Sequence, residues 1–354
     1  MGMNFSDKLV NLGRWIGLSS LVISGYVLWE IRQFLLLIFT AIIFSTALNR
    51  LIKWLENSKI IGIKVKRKIA IVICLFGILL LTTIFFVLIV PPFIEQFEKL
   101  IELIPNVWER LQLILLTLGE KESRFDLLNP PQSLGNFIEH LQPLLTQIFK
   151  NFFAVFSNSV NAIIQALFVL VLTIMMVVNP QGYRRSFLIL FPSFYRRRAD
   201  EIINLTEIAL GNWLTGITIN CLFIGTLSGV GLLILQVKLV LVHALLAGLL
   251  NLIPNIGPAA SVIFPIMVAI LDDPWKIWAI LIWYFIIQNI ESYWLTPTVM
   301  AKQVSLLPAV TLMAQIFFAQ SFGLLGLLLA LPLAVVAKTW IEEVLFKDIL
   351  DTWI

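Results

Sequence analysis

Long apolar runs separated by short charged segments dominate the chain. A bilayer core is about 30 Å thick, and a helix needs about 20 mostly apolar residues to span it. Runs of that kind occupy residues 14–29, 34–48, 69–90, 152–178, 213–235 and 275–295. Backbone amides in lipid must find partners within their own element, and these runs are long rather than ten-residue alternations, so helices are favoured over a β-barrel. The pattern predicts an all-α polytopic membrane protein with about six to eight membrane segments.

The first two blocks are separated by Glu30, Arg32 and Gln33 and read as a helical hairpin. Lys8 and Arg14 precede them as in a signal peptide, but no small-x-small site comes before Glu30, so the first block reads as an uncleaved span. Pro91-Pro92 stops the third run. Residues 93–151 then hold eight acidic and five basic residues, with Phe93, Phe97, Leu100, Ile101 and Ile104 at helical spacing. This is an external amphipathic insert, expected to rest on the membrane surface or between subunits rather than to touch substrate. After the fourth run come Arg184, Arg185 and Arg196 to Arg198, a topology anchor or an anionic-lipid site. The segment 199–210 reads as an interfacial helix.

From residue 212 the sequence reads as two copies of one unit, offset by roughly sixty residues, each a full span followed by a broken apolar stretch. The first stretch, 239–271, is interrupted by Asn251-Leu-Ile-Pro-Asn-Ile-Gly-Pro258, and the second, 306–337, by Ala319-Gln-Ser-Phe-Gly323. Each is either a re-entrant hairpin or one long kinked span. In the hairpin reading the second unit is inverted, Asp272-Asp273 lies outside and Lys302 inside. The organisation expected is residues 1–92 as a three-span region, 93–151 as the insert, 152–211 as a span plus interfacial helix, and 212–354 as the transport core.

Composition narrows the function. The chain is 59% apolar and 13% charged, against roughly a quarter charged in a soluble domain. Its net charge of +4 comes from basic clusters beside apolar runs, notably seven Lys and Arg between Arg50 and Lys68 against Glu56 alone. That is the positive-inside pattern rather than a nucleic-acid surface, and it predicts cytoplasmic N- and C-termini. Cys74 and Cys221 both lie in apolar runs and form no metal knuckle. With His140 and His243 the only histidines, no His-Glu-x-x-His and no Walker glycine loop, neither a catalytic set, a metal, a cofactor nor nucleotide coupling is expected.

The candidate substrate and ion path is therefore read from polar residues in apolar surroundings. These are Asn251, Pro254, Asn255 and Gly257 at the first break, Gln320 and Ser321 with nearby Gln315 at the second, and Gln288, Asn289 and Glu291 on the span between. Glu291 heads the set because an intramembrane carboxylate is costly and usually lines an ion path; the alternative is a hydrated anchor near the surface. Gln288 and Asn289 serve equally well as interhelical hydrogen bonders. His243 reads as a capping or packing residue.

The run Leu250-Asn-Leu-Ile-Pro-Asn-Ile-Gly-Pro258, Glu291 six residues before Pro297, and then Pro308, Gly323, Gly326 and Pro332 resemble the autoinducer-2 exporter family of bacterial membrane proteins. The resemblance implies a plasma-membrane permease, with members associated with export of a small quorum-sensing signal and others with sodium/proton exchange. Leu307 stands where many members place a histidine, so no proton role follows at that position. The function expected is gradient-driven export of a small polar solute, with sodium/proton antiport or a channel as alternatives. Partners expected are the small molecule or ion, membrane lipid and a second copy of the chain, the last on the strength of Gly225, Gly229 and Gly231, which permit close helix contact.

Overall fold

The computed structural model describes residues 19, 23–57, 59–60, 63–64, 66–121, 159–300 and 307–351. The expectations for most of the first apolar block before residue 23, for 122–158, for His140 and for the Lys302-Gln303 loop lie outside the described residues. Among the described residues the fold is helical, apart from a two-residue antiparallel ribbon of β1 (Lys59–Ile60) and β2 (Ile63–Lys64) in the basic loop.

Helix α1 (Arg32–Asn57) continues a helical segment at 23–30, because Ile31 N–H donates to the Val27 carbonyl and Leu35 N–H to the Ile31 carbonyl. The hairpin expected between the first two apolar blocks is thus corrected to a continuous helix over the described residues. The polar groups at the junction are accommodated locally, Arg32 bonding the Trp29 carbonyl and lying 4.4 Å over its ring. Helix α2 (Arg67–Leu88) has apolar side chains all round, among them Leu81 at 69% exposure. That surface suits lipid and would be untenable in water.

Helix α3 (Val90–Lys121) takes Pro91 and Pro92 into its first turn, where missing amide donors cost nothing. Its inner stripe of Phe97, Leu100 and Val107 is buried in the main core cluster beside Val242, Leu246 and Met267. The inner stripe of this part of the insert therefore packs on its own chain. Helix α4 (Ser159–Val178) meets α5 (Pro180–Leu188) at a 94° bend, where Asn179 caps α5 by accepting from Gly182 N–H.

Helix α6 (Arg196–Ile234) is unbroken over 39 residues, about 58 Å, so the expected interfacial helix and fifth span are one element. Its charged start is held laterally. Arg198 pairs with Glu343 at 2.7 Å and Asp348 at 2.9 Å, and Tyr195 donates to Asp348. Arg197, by contrast, is 94% exposed.

Helices α7 (Val240–Leu250) and α8 (Ile256–Leu271) form a hairpin. Lys238 meets Asp272 at 2.6 Å, residues that a straight rod would hold about 50 Å apart. Lys276 adds contacts to Asp272, Asp273 and the Gln236 carbonyl. Of the two readings left open by the sequence, the first broken stretch is the hairpin. Its start and end share the core cluster, Val242 and Leu246 beside Met267, Val268 and Ile270.

Helix α9 (Trp275–Ile290) runs through a π-helical turn (Glu291–Leu295) into α10 (Thr296–Met300). Helix α11 (Pro308–Trp340) is folded at Gly323, where φ is 65° and ψ −146°. A Cβ on Gly326 would stand 2.1 Å from the Phe318 carbonyl oxygen, although a straight helix separates residues eight apart by about 12 Å. After the fold, Leu331 and Val335 pack on Trp213 and Ile217, and the following π-helical segment (Ile341–Leu350) reaches Arg198. The first hairpin thus opens at the C-terminal end of α6, and the second leaves at its N-terminal end.

By length and composition, helices at Arg32–Asn57, Arg67–Leu88, Arg196–Ile234 and Pro308–Leu350 are able to cross a bilayer, and α4 with α5 makes a fifth candidate. The fold at Gly323 divides the last of the four. Gly225 and Gly229 are used within the chain, against Gly248 and Ala244, and Gly231 lies against Trp283. They give no support to self-association.

Candidate ion and substrate site

Pro297 has no N–H, so a regular i→i−4 ladder cannot pass through it. The Thr296 N–H instead reaches back five residues to the Glu291 carbonyl, creating the π turn. Such turns shift the phase of the helix and recur at functional sites. Glu291 is its first residue and is only 8% exposed.

Three side-chain amides hold the Glu291 carboxylate. Oε1 accepts from Asn220 of α6 and Asn251 at the end of α7, both at 3.3 Å, and Oε2 accepts from Gln288 at 3.2 Å. Among the described residues no Lys, Arg or His pairs with it. Neutral donors orient a carboxylate without cancelling its charge, which leaves it able to take up a proton or a small cation. The Asn220 Oδ1 atom is buried beside it without a partner.

The hairpin tip is fixed to this cluster. Ile256 N–H donates to the Pro254 carbonyl at 2.8 Å across Asn255, whose φ of 67° and ψ of −49° define a γ-turn of the rare, strained kind. Gln315 Nε2 of α11 donates to the same carbonyl at 3.2 Å. Gly257 is required here, since a Cβ would stand 1.8 Å from the Leu250 carbonyl oxygen.

Glu291, Gln288 and Asn251 therefore come together, with Pro254 and Gln315 linked at the tip. Asn289 bonds the Phe285 carbonyl of its own helix, and Asn255 is exposed. Gln320 is exposed and Ser321 half-buried, and neither is bonded to the cluster. Asn220 is the residue that sequence reasoning missed, although it is the one side-chain amide within the run 213–235. An open cleft at the α4–α5 elbow, lined by Met175, Asn179 and Tyr183, contains none of these residues. Among the described residues no group of His, Cys, Asp and Glu is placed to hold a metal.

Two broken helices flanking a buried carboxylate, one opening at each end of a long span, make a polytopic membrane fold of the kind in which discontinuous helices frame transport sites. The chain belongs to the AI-2E transporter family, whose profile, described as AI-2E family transporter, matches residues 18–346. It is 28% identical over 210 residues to YueF of Bacillus subtilis (strain 168), covering 59% of this chain and 56% of that protein. It is 22% identical over 329 residues to YhhT of Escherichia coli (strain K12), covering 92% and 89%. Both names assign transport only provisionally. The AI-2 transport protein TqsA of Escherichia coli (strain K12) is 32% identical over 110 residues, 31% of this chain and 32% of that one. The chain thus spans about half of YueF and about a third of TqsA.

Proposed function

We propose that this chain is a secondary transporter of the plasma membrane that exports a small polar solute on an ion gradient, with Glu291 as the coupling carboxylate. The observation that carries the reading is the buried Glu291 carboxylate, held by amides from α6, from the hairpin tip and from its own helix. Protonation or cation binding changes what those amides meet, and one of them sits at the tip of the first hairpin. The name of TqsA makes autoinducer-2 the first solute to try.

In this reading the basic loop and the Arg198 end of α6 face the cytoplasm with the C-terminus, and the Lys238–Asp272 end faces outside. The continuous α1 sets residue 23 at the end opposite the basic loop. Residues 212–354 do the transport, joined by the N-terminal part of α6, while α1 to α5 form its lipid-facing support. Partners are the solute or ion and the bilayer.

A second reading, sodium/proton exchange, is favoured by the unpartnered Asn220 oxygen beside Glu291, which adds a cation ligand to the site. One experiment covers both. Full-length protein in liposomes is given autoinducer-2 and an imposed proton or sodium gradient. Wild type should accumulate the solute, and Glu291→Gln should lose the gradient dependence while keeping downhill exchange. Equal gradient dependence in the two proteins would remove Glu291 as the coupling group. Sodium-driven proton movement without solute movement selects exchange.

A further inference from the structure

Helices α6, α7 and α9 meet in layers spaced by one helical turn. The first layer is the bonded group Asn220, Asn251 and Glu291. Four residues along each helix are Ile224, Ala247 and Ile287, which pack as one apolar cluster. A further turn along are Ser228, His243 and the pair Trp283-Tyr284. Contacts fix this register: Trp283 Nε1 donates to the Leu227 carbonyl at 3.1 Å, Gly229 lies against Ala244, and the Ser228 hydroxyl neighbours Tyr284.

This third layer is polar and unpaired. Ser228 and His243 are both fully buried. Neither nitrogen of His243 has a hydrogen-bond partner, nor has the Ser228 or the Tyr284 hydroxyl. The Lys238 backbone lies near the imidazole, but outside bonding geometry. His243 is therefore packed in the interior but caps no helix end through its side chain. Native folds seldom leave buried polar atoms unpaired, and a cluster of them is where ordered water is found.

We propose that Ser228, His243 and Tyr284 form a hydrated proton site between Glu291 and the Lys238–Asp272 end, closed off from Glu291 by the Ile224–Ala247–Ile287 layer. This extends the reading of Glu291 as the coupling group. The imidazole binds a proton at one nitrogen and releases one from the other, so proton count and charge balance when the ring returns to a neutral tautomer. The two hydroxyls and water pass the proton on without ionising. The surroundings hold little competing charge. Helix α8 has no ionisable residue, and α7 has none besides His243. Helix α6 offers Cys221 and α9 offers Tyr284, Glu291 and, at its outer end, Lys276. The Glu95, Glu98, Lys99 and Glu102 side chains of α3 are exposed, and Lys238, Asp272 and Asp273 sit at the mouth.

The first test leaves the site intact. Full-length protein carrying His140→Gln has His243 as its sole histidine, and 15N-histidine labelling in lipid bilayers reads that ring alone. Magnetisation transfer from water to the ring nitrogens, and exchange of the ring between its two neutral tautomers, are expected. A ring with one fixed tautomer and no water contact overturns the site. In liposomes with a trapped pH dye, sodium- or solute-driven proton movement should fall on the order of 100-fold in His243→Gln. Unchanged movement, or none in wild type, overturns the proton role. The two readings fail separately. A dry His243 alongside proton movement that Glu291→Gln abolishes sinks this site alone, whereas a hydrated, tautomer-exchanging His243 alongside movement indifferent to Glu291→Gln supports the site and removes Glu291 as the coupling group.

Discussion

The first hairpin reverses the chain over five residues, 251–255, and the second at a single glycine. The first uses a strained γ-turn at Asn255 and a glycine pressed on the Leu250 carbonyl, and its tip sends Asn251 to Glu291 and the Pro254 carbonyl to Gln315. The second has Phe318 stacked on Phe322 beside Gly323, with Gln320 facing out. A tip that must aim polar groups needs a backbone fixed at several residues, whereas a tip that only turns the chain needs φ freedom at one. The two units look alike as sequence, yet one break aims polar groups at a buried carboxylate and the other only turns the chain.

Glycine substitutions should expose this difference most strongly. At Gly257 an added Cβ meets backbone at 1.8 Å, so the tip must open. At Gly323 it meets nothing within 4 Å, and only the positive φ resists it, a strain of about 1–3 kcal/mol. Gly257→Leu should abolish gradient-driven transport in liposomes while the protein still inserts in the membrane. Gly323→Ala should lower the thermal midpoint in detergent but keep transport. Equal loss of transport in both variants would break the distinction between the two tips.

These contrasts were partly legible in the sequence. Glu291, Gln288 and Asn251 stand out because a carboxylate or amide in an apolar run is costly, and the Pro-Asn-Gly run marks a break wherever it occurs. What a break does is decided at long range. Hairpin and kinked span differ in whether Lys238 meets Asp272, a pairing 34 residues apart that no local pattern encodes. Asn220 was passed over because one amide on a long span reads as packing until its partner, 71 residues away, is known. The helical hairpin expected at Glu30 failed for the opposite reason, since Arg32 finds a partner in the Trp29 carbonyl of the same helix and the ladder runs on through Ile31 and Leu35. Likewise the start of α6 reads as an anchor or lipid site followed by an interfacial helix, but Arg198 is paired sideways with Glu343 and Asp348, far along the chain.

A smaller effect is expected at Gln315, the one described hydrogen bond from α11 to the first tip. The Pro254 carbonyl keeps its Ile256 partner when this bond is lost, so Gln315→Leu removes a single bond, about 1 kcal/mol, and also a buried unpaired oxygen. Stability should change little. Transport should slow, because α11 no longer holds the tip in place, and a transport rate equal to wild type would show that the hairpins work independently.

The smallest effect should come from the clasp that closes the first hairpin. The Asp272 carboxyl is held below its usual range, first by the hydrogen bond from Lys238 and then by Lys276. A carboxylate more acidic in the folded than in the unfolded state stabilises the fold at pH above its unfolded value, and that contribution is lost as pH falls through the folded value. Lys238 is 70% exposed, so salt screens the contact and its worth is modest. At neutral pH and low salt, Asp272→Asn should lower the detergent melting midpoint slightly. The gap should shrink in high salt and close at pH well below the ordinary aspartate value of 3.8. A variant that matches wild type at neutral pH in low salt would mean that the hairpin is closed by its apolar face, Val242 and Leu246 beside Met267 and Val268, with the charges only marking the mouth.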